Sequence, residues 1–272
     1  MDPVDGRPMV RVALARGIAT LTLDRPAQAN AYSYELERAL HDELIRADVS
    51  PEVACIVLTA AGDTFCPGFD PTSMTQALAD GVDTHARSPH PFHLALSLAT
   101  PVIGAVNGAC AGVGLALSLT CDIRVSATEA RFSTAFAPLG LPAERGTSWF
   151  LPKIVGHGRA MELLMSGRSF SAAEALAMGL VTSVAPRDGL VDHALEVAGR
   201  LVQRSSPDSL ATIKRQVYRD WTVALRESTR QADVELERLV GSPDFRRAMR
   251  DRSNGIHTDF TPPHLQERHD HV

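Results

Sequence analysis

Apolar and polar positions alternate or cluster along most of this chain, and the pattern is densest over residues 101–121, a run without a single charge that Asp122 closes. Its length matches a membrane-crossing helix. Pro101, Gly104, Asn107, Gly108, Gly112 and Gly114 argue against one, because proline and glycine interrupt a helix. Val102 to Val106 has the length of a buried strand, and Val113 to Leu119 has the composition of a short helix. The pattern therefore predicts a strand, a glycine-rich turn and a buried helix. Such a turn gathers free backbone N–H groups at the start of a helix, which suits an anion or a developing oxyanion.

The rest of the chain repeats related units. Val10 to Ala15 and Ile18 to Leu23 read as strands around an Arg16-Gly17 turn. Ser33 is placed to cap a helix on which Leu36, Leu40 and Leu44 form one face, ending near Ala47. Val53 to Thr59 is nearly continuous in apolar residues, as in a sheet covered on both faces. Residues 71–90 are irregular and predict a variable loop, followed by a helix from about Pro91 to Ala99. After residue 121 come strands at Ile123–Ser126 and Ala130–Ser133, a turn-rich loop over 138–148, and helices over Trp149–Ile154 and Gly158–Met165. Ser171 and Glu174 have capping-box spacing for a helix that stops at Gly179. Leu180 to Val184 reads as the last strand, and Leu190 to Val202 as a long helix. Beyond Ser205 the chain is helical and more charged, with a polar, histidine-rich end. This division predicts an α/β core over residues 1–203 and a helical region over 204–272.

Composition narrows the class. The 272 residues are 44% hydrophobic and 22% charged, with a formal net charge of −5, which fits a soluble globular protein. That balance offers no electrostatic attraction for nucleic acid or an acidic membrane. Cys55, Cys66, Cys110 and Cys121 form no C-x-x-C pair, which points to reduced thiols and a cytoplasmic setting. Met1 to Pro8 is polar and reads as no signal peptide. His85, His90 and His93 have loosely metal-like spacing but no cysteine partners. No G-x-S-x-G elbow and no complete dinucleotide fingerprint occur.

Several ordered segments carry a resemblance. Asn107-Gly108-Ala109-Cys110-Ala111-Gly112-Val113-Gly114 resembles the N-G-x-x-x-G-G-G segment of the crotonase (enoyl-CoA hydratase/isomerase) superfamily. Phe65-Cys66-Pro67-Gly68-Phe69-Asp70 is similar to that family's F-C-A-G-A-D, and Leu151–Gly156 and Gly179-Leu180-Val181 match further blocks. The resemblance runs from about residue 10 to about 250. It implies a crotonase-like spiral of repeated β-β-α units with a C-terminal helical trimerisation region. It also implies a homotrimer or dimer of trimers, an acyl-CoA thioester as substrate, and no cofactor beyond the coenzyme A that the substrate carries.

The resemblance also assigns roles. Two backbone N–H groups, here those of Phe69 and Val113, hold the thioester oxygen, while Gly68, Gly112 and Gly114 let the backbone approach it. Val113 stands where the family usually has glycine. The coenzyme A side falls at Ala27, Gln28, Ala29 and Ala31 and at Cys66, Pro67, Gly68 and Asp70. The two glutamates of the family's hydratases align with Ala116 and Phe136, neither of which transfers a proton. One carboxylate, Glu144, lies in a segment similar to those that carry a catalytic aspartate in dienoyl-CoA and phenylacetate-pathway isomerases and in 4-chlorobenzoyl-CoA dehalogenase. Phe92 and Phe136 are expected in the acyl pocket. The implied activity is double-bond isomerisation with Glu144 as acid/base; the alternatives are an enoyl-CoA hydratase, a hydrolase or dehalogenase using Glu144 as nucleophile, and a non-catalytic acyl-CoA binder.

Overall fold

Arg16 and Gly17 both adopt left-handed backbone (φ 51° and 74°), the conformation that joins strands with a tight two-residue turn. They connect β1 (Val10–Ala15) to its antiparallel partner β2 (Ile18–Leu23). The structure is a computed structural model and describes residues 8–70, residue 75 and residues 88–262. Helix α1 (Tyr34–Val49) follows, capped by the Ser33 hydroxyl, which accepts from the Leu36 N–H at 3.2 Å. Leu36, Leu40 and Leu44 are buried as expected. So are Glu37 and His41, which flank the stripe. The chain continues through β3 (Cys55–Ala60) and a short β4 (Thr64–Cys66).

The uncharged stretch forms β5 (Val102–Val106), β6 (Ala109–Ala111) and α2 (Val113–Leu119). Then come β7 (Ile123–Ala127), β8 (Arg131–Ser133), α3 (Thr147–Val155), α4 (His157–Ser166), β9 (Ser169–Ser171), α5 (Ala172–Ala177) and β10 (Ser183–Ala185). Four helices end the described chain: α6 (Leu190–Arg204), α7 (Pro207–Asp220), α8 (Leu225–Val240) and α9 (Pro243–Ser253).

Two sheets organise these elements. The larger runs β1-β2-β3-β5-β7-β10 and is parallel after its first pair. β3 and β5 are buried along their whole length, which explains their unbroken apolar runs. The smaller sheet runs β4-β6-β8-β9, stacking successive turns of the coil. Most of the buried apolar residues form one continuous core from Val10 to Val202.

The structure corrects several boundaries. The helix expected over 91–99 is a single 3-10 turn, Leu94–Ser97, because Pro101 and extended backbone at Leu98 stop it. The last strand begins at Ser183 rather than Leu180. The glycine-rich turn between Val106 and Val113 contains a strand, β6, that pairs with β4 and β8. The variable loop of 71–90, including His85, falls largely outside the described residues.

Candidate active site

The first wall of the site is the segment after β4. Tyr32 lies beside it as a parallel bridge partner of Phe69. The Tyr32 N–H donates to the Gly68 carbonyl at 2.8 Å, and the Asp70 N–H donates to the Tyr32 carbonyl at 2.8 Å. Backbone groups of neighbouring extended residues point to opposite sides. The N–H of Phe69 therefore faces away from Tyr32, and it has no backbone acceptor among the described residues.

The second wall is the turn from β6 into α2. Gly112 has φ 52° and ψ −120°, a conformation that only glycine adopts readily. Its own N–H is bound to the Ser133 carbonyl at 3.1 Å. Val113 opens α2, so its N–H lacks an intrahelical acceptor, and it has no other backbone acceptor among the described residues. The β-branched side chain of Val113 is accommodated in the helix and buried. The two walls abut: a Cβ placed on Gly112 would lie 4.0 Å from the Gly68 Cα, and one on Gly114 only 2.0 Å from the Cys66 carbonyl oxygen. Two free N–H donors thus sit on touching turns, an arrangement able to hold an anionic oxygen.

Side chains close the site. Ala116 is fully buried within α2, and Phe136 is buried with its ring edge 3.9 Å from where a Gly112 Cβ would stand. No carboxylate occupies either position. Glu144 is partly exposed, in the loop just before α3. Its carbonyl accepts from the Thr147 N–H at 2.9 Å and the Thr147 hydroxyl at 2.7 Å. Its carboxylate takes no hydrogen bond or ion pair among the described residues. Arg145 does not pair with it; the guanidinium instead meets Glu37 at 3.5 Å and lies over the rings of Tyr32 and Phe92, 5.6 and 5.0 Å from their centroids.

The expected coenzyme A side is built around Asn30. Asn30 is fully buried and left-handed (φ 57°). Its amide nitrogen donates to the carbonyls of Ala61 (2.8 Å) and Thr64 (2.7 Å), and its oxygen accepts from the Arg25 N–H (2.9 Å). This leaves Ala27 and Gln28 exposed on a 3-10 turn and Ala29 partly exposed, while Ala31 is buried with its carbonyl taken by Arg25 at 2.8 Å. Pro67 is exposed. The side chains of Cys66 and Asp70 turn inward. Burial pushes the Cys66 thiol up to about 11, and Asp70 pairs with Arg25 at 3.3 Å. Any role of these two in binding therefore falls to their backbone.

The sequence reading did not single out Tyr32, Glu37 or His41. Glu37 and His41 were detectable as polar residues four apart, next to the apolar stripe of α1. His41 Nδ1 lies 2.7 Å from the Ser88 hydroxyl, and burial, with His90 nearby, lowers its pKa to about 4. Burial, opposed by Arg145 and reinforced by the Glu37 carboxylate, raises the Tyr32 phenol far above its ordinary range.

Comparison with known proteins adds to this geometry. The family model described as "Enoyl-CoA hydratase/isomerase" matches residues 14–252. The chain is 34% identical to the 1,2-epoxyphenylacetyl-CoA isomerase of Escherichia coli (strain K12), over 85% of this chain and 90% of that protein. It is 30% identical to 4-chlorobenzoyl coenzyme A dehalogenase-2 of Arthrobacter sp, over 84% of each. Among solved structures, an enoyl-CoA hydratase from Polaromonas sp. JS666 superposes with a TM-score of 0.85 at 28% identity, covering 92% of this chain and 98% of that one.

Proposed function

Because the chain belongs to the enoyl-CoA hydratase/isomerase family, we propose that it moves the double bond of an enoyl-CoA thioester, with Glu144 as its acid/base. One observation carries this reading: among the described residues the Glu144 carboxylate takes no hydrogen bond or ion pair, while Ala116 and Phe136 fill the two positions where the resemblance puts the hydratase glutamates. Double-bond transfer needs one proton carrier, whereas hydration must also activate a water.

The Phe69 and Val113 N–H groups donate to the thioester oxygen and stabilise the charge that develops on it, which acidifies the α-carbon. The Glu144 carboxylate removes the α-proton of a 3-enoyl thioester, leaving a dienolate whose charge rests on that oxygen. Glu144 then returns the same proton at the γ-carbon. The product is the conjugated 2-enoyl thioester, with no atom gained or lost. Phe136 and Phe92 keep the acyl chain in an apolar setting, and the Ala27–Ala29 turn and Pro67 offer a surface for coenzyme A.

The test follows the ultraviolet band of the conjugated thioester. With 3-enoyl-CoA the band should grow, and Glu144→Gln should slow it roughly 10²–10⁴-fold, the usual range for an acid/base group. Loss of the band from 2-enoyl-CoA in water would instead mean hydration. An unchanged thioester with intact binding would mean an acyl-CoA binder.

A further inference from the structure

The strongest feature outside the chemistry described above is a buried ionic cluster behind the Phe69 segment. Glu37 is 3% exposed and Tyr32 2%. Glu37 Oε2 and Tyr32 Oη are each buried and complete no hydrogen bond of standard geometry among the described residues. Among the described residues, the one cation paired with Glu37 is Arg145, whose side chain is 14% exposed. A carboxylate held this deep on the apolar face of α1 is out of place for packing alone, since burying a charge is unfavourable unless it is compensated.

Arg145 bridges both halves of the site. Its backbone is left-handed (φ 52°), as is that of Gly146 (φ 78°), and a non-glycine residue in that region is strained. Together these two residues turn the chain from Glu144 into α3. The Glu144 carbonyl is pinned on the other side by Thr147. The Arg145 guanidinium lies over the ring of Tyr32, the residue whose backbone fixes Gly68 and Asp70 on either side of the Phe69 N–H. A single side chain therefore touches the segment that presents Glu144 and the segment that presents one oxyanion donor.

We propose that Glu37 and Arg145 are positioning residues: the buried Glu37 holds the Arg145 guanidinium against Tyr32 and Phe92, and this fixes Glu144 relative to the Phe69 N–H. The inference rests on the reading of Glu144 as the acid/base. Neither residue touches substrate. Glu37 supplies the charge that anchors the guanidinium, and the planar guanidinium supplies a stacking face that lysine lacks. Displacing a base by about 1 Å is enough to slow a reaction about 10²-fold, so the clamp acts on turnover and leaves thioester binding nearly unchanged.

The experiment compares Glu37→Gln, Arg145→Lys, their double variant and Glu144→Gln. It measures kcat on 3-enoyl-CoA, the Kd of a saturated acyl-CoA and thermal stability. Expected is a loss in kcat of about 10- to 100-fold for each clamp variant, with Kd within about threefold of the parent. The double variant should be no slower than the worse single one, because both act through one contact. Glu37→Asp should recover part of the rate. Parental kcat in Glu37→Gln and Arg145→Lys, with Glu144→Gln inactive, overturns the clamp and leaves the acid/base reading standing. Parental kcat in Glu144→Gln overturns the reading itself. Additive losses, losses shared equally by kcat and Kd, or failure of both clamp variants to fold would each reduce the pair to a structural brace and reject the proposal.

Discussion

At the scale of single residues, close approach of backbone to backbone sets the spacing of the two walls of the candidate site. A methyl group on Gly114 would sit 2.0 Å from the Cys66 carbonyl oxygen and 2.8 Å from its carbonyl carbon, both buried backbone. Backbone cannot swing aside as a flexible side chain does. Gly114→Ala must therefore push the start of α2 away from the end of β4, carrying the Val113 N–H away from Phe69. Losing one oxyanion donor costs about 10²–10³ in rate, so turnover should fall by at least about 10²-fold. Gly158 is the control. It lies in α4 with nothing within 4 Å of an added Cβ, and Gly158→Ala should leave turnover unchanged while stabilising the helix by about 0.5–1 kcal/mol. Steady-state kinetics beside thermal melts of the two variants decide this. Equal turnover in both would remove the argument that the β4–α2 contact sets the donor spacing.

At the scale of elements, Asp122 explains how the uncharged stretch is tied into the molecule. Its carboxylate accepts from the Val102 N–H (2.7 Å) and the Tyr218 hydroxyl (2.8 Å) and pairs with Lys214 (2.9 Å), which also donates to the Thr100 carbonyl at 3.0 Å. Helix α7 is thereby bound to the mouth of β5 through a lysine whose side chain is almost wholly buried. Breaking a buried pair by removing one partner costs about 3–5 kcal/mol. Asp122 keeps two other donors, which places Lys214→Met near about 3 kcal/mol. The melting temperature should drop by roughly 6–12 °C; a fall under about 2 °C would mean that α7 is held by packing alone. These connections also show what periodicity can and cannot convey. The long elements, such as α1 with its Ser33 cap, the Ser171–Glu174 capping box and β5, were legible because each repeats a local signal several times. The three-residue strands β4, β6 and β9 were not. They are too short to show an alternation, and they exist because the coil stacks them into one sheet. Within the candidate site the glycines answer to physical constraints: the Cys66 carbonyl leaves no room for a side chain at Gly114, and the positive φ at Gly68 and Gly112 favours glycine. The Glu37–Arg145 pair was not legible, because 108 residues separate partners that meet only through the fold.

At the scale of the whole molecule, the C-terminal helices present an inverted face. Neither α8 nor α9 contains a buried residue. Polar side chains tie α8 to α7: Arg238 of α8 pairs with Asp208 of α7, and Arg215 of α7 pairs with Glu235 of α8, which Arg238 also meets within its own helix. Apolar residues stay outside, with Leu225 at 82% and Leu236 at 62% exposure. At 100° per residue, Leu225, Leu236 and Val240 fall on one stripe of the helix, and Phe245 and Met249 are one turn apart on α9. Charged residues spent on the inner contact and apolar ones left in water would be a poor arrangement for an isolated chain. It suits helices that meet another copy, as the family resemblance implies for this region. Sedimentation at micromolar concentration should then give about three or six times the 29.3 kDa mass of one chain. The melting temperature should rise with protein concentration, because assembly binds only the folded state. Leu236→Asp would bury an unpaired charge in such an interface and should shift the protein towards a single chain without altering α1 or the two sheets. A parent protein that sediments as one chain, with a melting temperature independent of concentration, would mean that the stripe on α8 meets water.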